Sequence, residues 1–288
     1  MKIIPFAALA GIVSLGAQAQ SLNPSIPPLE SLVVTATRQA EPVPSLRDTL
    51  VISRDEIAQS GALSLGELLQ RRAGVELRAT GGPGQPQGIF VRGAGTAQTL
   101  VLIDGLRVSS ATVGTTSIEN IPLELIERIE VVKGPLSSLY GSDAIGGVVQ
   151  IFTRGKTAPH LFAAGSYGTN NDRRGSAGIA TVDERSAFAL SVGARKVDAP
   201  SATNPRAFCH DPDRDPYENG FANLHASHRM WQQELVALDA FVTHGRAAFD
   251  GCGTDDRTTQ TIAGAKLSSS NTFTSWWKSR LAIGHGRD

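Results

Sequence analysis

Residues 129–149 read Ile-Glu-Val-Val-Lys-Gly-Pro-Leu-Ser-Ser-Leu-Tyr-Gly-Ser-Asp-Ala-Ile-Gly-Gly-Val-Val. Ile126 to Lys133 has the composition of a short strand, Val148 to Thr153 that of another, and a glycine-bearing stretch joins them. Working back, Thr49 to Ser53, Val75 to Leu77, Gly88 to Arg92 and Thr99 to Ile103 suit further short strands. Two helices fall among them. Ser53 followed by Glu56 resembles a capping box for a helix through Gln59. Leu63, Leu65, Leu68 and Leu69 form the apolar stripe of a second helix, ended by Gly74. Residues 45–155 therefore read as one small α/β domain.

After Gly155 the texture changes to segments of roughly ten residues that alternate apolar and polar positions. In Ser186 to Ala194, Phe188, Leu190 and Val192 share one face, against Ala187, Ala189, Ser191 and Gly193. In Leu235 to Thr243, Val236, Leu238, Ala240 and Val242 oppose Asp239 and Thr243. His160 to Tyr167, Gly175 to Val182, Tyr217 to His228, Thr258 to Ser268 and Thr274 to Ile283 are further candidates, and Trp276 and Trp277 suit an aromatic girdle. A soluble sandwich shows the same alternation as a membrane barrel, so the pattern alone leaves both open.

The start of the chain narrows the choice. Lys2, an apolar stretch from Ile3 to Leu15 and Ala17-Gln18-Ala19 make a signal peptide over residues 1–19. No later segment offers the roughly 20 apolar residues of a spanning helix. Residues 20–44, with Pro24, Pro27 and Pro28, read as an extended tether. Lys and Arg total 27, as do Asp and Glu, and this balance points away from nucleic acid.

Leu32-Val33-Val34-Thr35-Ala36 looks like a TonB box. Gly88-Ile89-Phe90-Val91-Arg92-Gly93 and Leu100-Val101-Leu102-Ile103-Asp104-Gly105 are similar to central motifs of TonB-dependent receptor plugs, and the two halves of the opening stretch resemble the plug's closing signature. The motifs keep family order over about 125 residues, and their wording is most similar to the cobalamin transporters of that family. The resemblance implies an α/β plug domain followed by antiparallel strands of a 22-stranded transmembrane barrel, in the outer membrane with a periplasmic N-terminus. It implies lipid, the barrel-assembly machinery, TonB and a large nutrient as partners, and no covalent cofactor.

Ser31, Leu32, Val33, Val34, Thr35 and Ala36, within a box at residues 31–38, would add as a strand to a partner sheet. Two plug loops would touch substrate, through Gln85, Pro86 and Gln87 and through Ser110, Val113, Gly114 and Thr115 within Ser109 to Thr116. Arg92, Glu130 and Arg154 are expected to lock plug to barrel through breakable ion pairs. Cys209 and Cys252 flank two acidic loops; a disulfide between them would contribute roughly 4 kcal/mol by chain entropy. Asp211, Asp213, Asp215 and Asp250 fall where cobalamin transporters carry calcium-binding aspartates, with Asp255 and Asp256 nearby. Solvated acidic loops and a calcium site both remain open.

Catalysis has no residues to rest on: His225 and His228 lie on opposite faces of a strand, and neither a zinc-protease nor a nucleophile-elbow motif occurs. Roughly 130 residues follow the plug, enough for about seven strands. With His285-Gly286-Arg287-Asp288 at its end, the chain is expected to be a fragment that cannot transport alone. The expected function is energy-coupled uptake of cobalamin, with a siderophore receptor or an exported β-sandwich adhesion module as alternatives.

Overall fold

A computed structural model describes residues 48–110, 114–155, 160–208, 210–231, 234–251, 256–274 and 276–288. The signal peptide, the tether and the TonB box lie outside the described residues.

Local chemistry sets the first elements. Strand β1 (Asp48–Ile52) ends at Ser53, whose Oγ accepts from Glu56 N while Glu56 Oε2 accepts from Ser53 N at 2.9 Å. This reciprocal box starts α1 (Arg54–Gln59) where the sequence places it. Helix α2 (Leu65–Ala73) begins two residues later than the leucine stripe suggests. Ser64 caps it by accepting from Glu67 N at 3.2 Å, which leaves Leu63 outside and exposed. The hairpin β2 (Glu76–Ala79) with β3 (Gln87–Phe90) follows, then β4 (Thr99–Ile103), β5 (Leu106–Arg107), β6 (Ile126–Lys133), α3 (Ser137–Tyr140) and β7 (Gly147–Thr153). Helix α3, β5 and the short 3-10 turns at Thr96–Gln98, Ile118–Asn120 and Leu123–Leu125 have no periodicity to announce them.

The central sheet runs β1-β6-β7-β4-β5, with β4 and β7 parallel and the other pairs antiparallel. Both of its faces are covered, so β4 and β7 are buried almost throughout and β6 buries Ile126, Ile129, Val131 and Val132. Val101, Ile103, Ile129, Val131, Val149 and Ile151 pack with Leu65, Leu68 and Leu69 of α2. Leu100, Leu102, Val132 and Val148 face the other way, against Leu136 and Ala144.

Seven strands then form one antiparallel sheet in sequence order: β8 (His160–Tyr167), β9 (Arg173–Val182), β10 (Ser186–Pro200), β11 (Arg214–Trp231), β12 (Glu234–Ala248), β13 (Arg257–Thr272) and β14 (Lys278–Arg287). This is a single layer rather than two packed sheets, and the strands are longer than their alternating cores. Fifteen residues span about 50 Å, well beyond the ~30 Å hydrocarbon layer. Their faces divide as the alternation requires. Phe188, Leu190, Val192, Leu238 and Val242 are exposed on the outer side, while Ala189, Ser191, Asp239 and Thr243 are buried against the α/β domain. Phe221, Phe241 and Ile262 extend from this wall into the domain's own core.

Candidate functional site

The connections between wall strands are unequal. Residues 183–185 and 273–277 make short turns at one end, while residues 201–213 and 249–256 make long loops at the other. At the long-loop end the α/β domain brings up its own loop after β2. Gly84, at φ 77, presses on the wall so closely that a Cβ there would lie 2.1 Å from Tyr217 Cδ2, so both the backbone and the space demand glycine. Gln85 is buried beside it and its Nε2 donates to Ala248 O at 2.7 Å. The Gln87 side chain packs over Gly66 of α2, while its N–H donates to Glu119 Oε2 at 3.2 Å.

Two of the expected substrate contacts are thereby corrected: Gln85 is turned to the wall and Gln87 to a helix. The reason is the tight approach at Gly84, which leaves no room for an outward glutamine there. Pro86 remains exposed. In the second loop Gly114 is exposed, Ser110 and Thr115 are half-buried, and Ser110 N donates to Thr115 O at 2.9 Å. Val113 lies outside the described residues.

The acidic loops converge beside that first apex. Ligand oxygens of Asp213, Asp215 and Asp250 lie within 4.8 Å of one another. Asp211, expected with them, is exposed and lies outside this group of three. Ser201 Oγ donates to Asp250 Oδ2 at 2.6 Å, and His210 Nδ1 lies 3.2 Å from the same oxygen. Hydrogen bonding from Ser201, opposed by burial and aided by His210, holds the Asp250 carboxyl below the usual aspartate range. Asp250 Oδ1 is buried with no hydrogen-bond partner among the described residues. An all-carboxylate set with one orphaned buried oxygen fits a hard cation such as calcium. Asp256 stands apart from the three, since its carboxylate accepts from Gly251 N at 2.8 Å and closes the loop on itself. Cys209, Cys252 and Asp255 lie outside the described residues.

The expected lock is corrected in part. Arg92 pairs with Asp48 at 3.2 Å, inside the α/β domain, because the Val91–Ala94 turn swings it to the sheet edge where Asp48 opposes Lys133. Glu130 pairs at 2.9 Å with Arg128, two residues away on the same face of β6. Arg154 does reach the wall: its guanidinium stacks 3.5 Å from the Phe162 ring centroid, and its carbonyl accepts from Asn223 Nδ2 at 3.1 Å.

Further residues that join domain to wall had no sequence signal. Asn120 O accepts from Thr243 Oγ1 at 2.6 Å and from Asn219 Nδ2 at 3.2 Å, while Asn120 Nδ2 donates to Gln260 Oε1 at 3.1 Å. Lys266 reaches from β13 to donate to Asp104 O and pairs with Asp239 at 3.1 Å. Arg174 and Arg195 share Asp172, and from there Arg174 reaches Glu124 at 3.7 Å while Arg195 donates to Leu63 O at 3.0 Å.

Glu119 belongs to the same seam. Burial pushes its carboxyl up from 4.5 to about 7, against the pull of its own backbone and the Gln87 N–H, with Asp288 adding to the rise. A raised carboxyl is protonated in the folded state while the unfolded chain has already ionised. Stability should therefore fall as pH climbs from 4.5 to about 7 and stay level above it. The loss is on the order of 3 kcal/mol. Glu119→Gln should flatten that slope in thermal unfolding at pH 5 and pH 8; an unchanged slope would place the titration elsewhere.

Residues 44–148 match the family model described as TonB-dependent Receptor Plug Domain. The vitamin B12 transporter BtuB of Vibrio cholerae serotype O1 is 45% identical over 131 residues, 45% of this chain and 21% of that protein. The chain thus spans about a fifth of the length of the curated relatives it matches. Among solved structures, a mutant ferric enterobactin receptor PfeA from Pseudomonas aeruginosa superposes with a TM-score of 0.65 at 19% identity, covering 83% of this chain and 40% of that one. The ferric yersiniabactin uptake receptor FyuA from Yersinia pestis gives 0.66 at 19%, with the same coverage. At such identity the likeness concerns the fold, and the 40% coverage makes the seven strands a partial barrel. Residues 44–148 therefore form a TonB-dependent receptor plug domain, and the antiparallel strands that follow share the fold of part of such a receptor's barrel.

Proposed function

We propose that this chain serves energy-coupled uptake of cobalamin across the outer membrane as part of a complete barrel. The observation that carries this reading is the 45% identity to a vitamin B12 transporter over 131 residues, set beside 19% to the siderophore receptors that share the fold.

In this reading the exposed plug apices and the long loops capture the substrate. The cation held by Asp213, Asp215 and Asp250 neutralises three carboxylates that otherwise repel, which sets the loop shape around the ligand. Residues 31–38 then act as an extended strand for TonB, which pulls on the plug. No covalent bond changes: the seam at Asn120, Lys266 and Arg174 consists of hydrogen bonds and ion pairs that mechanical work can open one at a time.

The test is ligand binding by the complete receptor purified from outer membranes. Calcium-dependent binding of cobalamin supports the proposal; ferric-siderophore binding without calcium overturns it. Deleting residues 31–38 should abolish energised uptake while leaving binding intact, and uptake that survives the deletion would refute the coupling role.

A further inference from the structure

The outer side of the wall carries a feature that substrate capture does not use. Toward the long-loop end of β9 to β12 the outward positions Arg173, Lys196, Glu218 and Arg246 are direct cross-strand neighbours in that order, with Asp198 next to Lys196 on the loop side. All four are exposed. Adjacent strands lie about 4.8 Å apart, so this row extends over roughly 14 Å.

The next outward row toward the short-turn end is Gly175, Ala194, Gly220 and His244. Its first three members have little or no side chain, so the surface is hollow there. The result is an open dish of about 730 Å³ rimmed by the charged row. Three cations stand against Glu218 in the row, and Asp198 beyond it accepts from Asn171 Nδ2 at 2.9 Å. Lys196 is engaged by Glu218, and Arg173 donates to Asn171 Oδ1 at 2.8 Å, while Arg246 has no partner among the described residues.

What lies beneath the dish decides its occupant. The following outward rows hold Val192 and Val242, then Leu190 and Ile179, all exposed. A ligand seated in the dish thus has cationic donors at one end and an apolar wall running away from the other. That pairing suits an anionic amphiphile, because guanidinium groups bind phosphate by charge-assisted bonds while hydrocarbon covers aliphatic side chains. A free anion would gain nothing from the apolar rows.

We propose that this dish is a binding site for the phosphate-bearing headgroup of a membrane lipid in the leaflet on the long-loop side. The proposal rests on the membrane-barrel reading and is independent of which nutrient the receptor takes. Arg246 and Arg173 hold the phosphate, His244 borders it, Glu218 competes for Lys196 at the rim, and the glycines admit the headgroup to the backbone.

The experiment titrates the complete receptor, extracted in mild detergent, with diphosphoryl lipid A, with the dephosphorylated lipid and with inorganic phosphate, read by native mass spectrometry. Diphosphoryl lipid A should bind, and the double variant Arg173→Gln with Arg246→Gln should weaken it about 10-fold or more. Glu218→Gln, which removes the opposing charge, should tighten it. Equal binding of the dephosphorylated lipid, or wild-type affinity in the double variant, overturns the proposal. Inorganic phosphate binding as tightly as the lipid reduces the dish to an anion site and overturns it too. A receptor that enters membranes normally yet retains no lipid refutes the dish alone; one that never enters membranes refutes the barrel reading beneath it.

Discussion

Calcium affinity of the loop cluster is expected to fall by about 100-fold or more when Asp250 is replaced by alanine, because the site loses a charged ligand whose position the fold has already fixed. The Asp250 side chain is only 1% exposed, and Ser201 and His210 orient one of its oxygens while the other has no partner among the described residues. A carboxylate held this way loses little freedom on binding a cation, so its removal costs both charge and preorganisation. Hydrogen bonding keeps Asp250 ionised, whereas burial and the neighbouring carboxylates raise Asp215, so binding should weaken through Asp215 first as the solution turns acidic. Asp250→Asn supplies the isosteric control. It should also lose calcium, and it should modestly destabilise the cation-free protein, since the charge-assisted hydrogen bonding from Ser201 and His210 that favours the ionised carboxylate is weakened. Calorimetric titration with calcium, paired with thermal unfolding in chelator, reads both effects. Calcium affinity unchanged in either variant would remove Asp250 from the site.

The second large effect is expected at Gly245, where the wall and plug meet most closely. Its backbone is ordinary strand, so any residue can adopt the conformation, but a Cβ there would lie 1.9 Å from Asn120 Oδ1 and 2.6 Å from its Cγ. Gly245→Val should therefore force the Asn120 side chain out of its place. That breaks the hydrogen bonds to Gln260 and from Tyr217 OH; Tyr217 keeps its bond to Glu119 O, while Gln260 Oε1 is left short of its donor in the seam. Overpacking costs about 1–3 kcal/mol, and each stranded polar group about as much again. The complete receptor should then admit bulky antibiotics through an ill-seated plug and expose the plug to protease. Combining Gly245→Val with Asn120→Ala removes the obstruction as well as the bonds. The pair should be less damaging than the sum of the single changes, a coupling that a double-mutant cycle measures directly. If the two effects simply add, the clash is not the cause.

Sequence alone determined the features that depend on neighbours along the chain. Ser53 and Glu56 specify a helix start within four residues, and the alternation through Phe188, Leu190 and Val192 assigns each side chain to a face, because both arise from local backbone geometry. The plug motifs likewise lie in contiguous runs and could be read one at a time. Only the tertiary structure decided the seam and the apices. Asn120 meets Gln260, Tyr217, Asn219 and Thr243 across roughly a hundred residues or more, and no spacing rule links them. Charge was the least legible quantity. Arg92 and Glu130 pair within the domain, with Asp48 and Arg128, while Asp172, Arg174, Arg195 and Lys266 carry contacts between the two parts. An ionic side chain can reach several partners, and which one it takes is settled by burial and approach, which exist only once the plug sits against its wall.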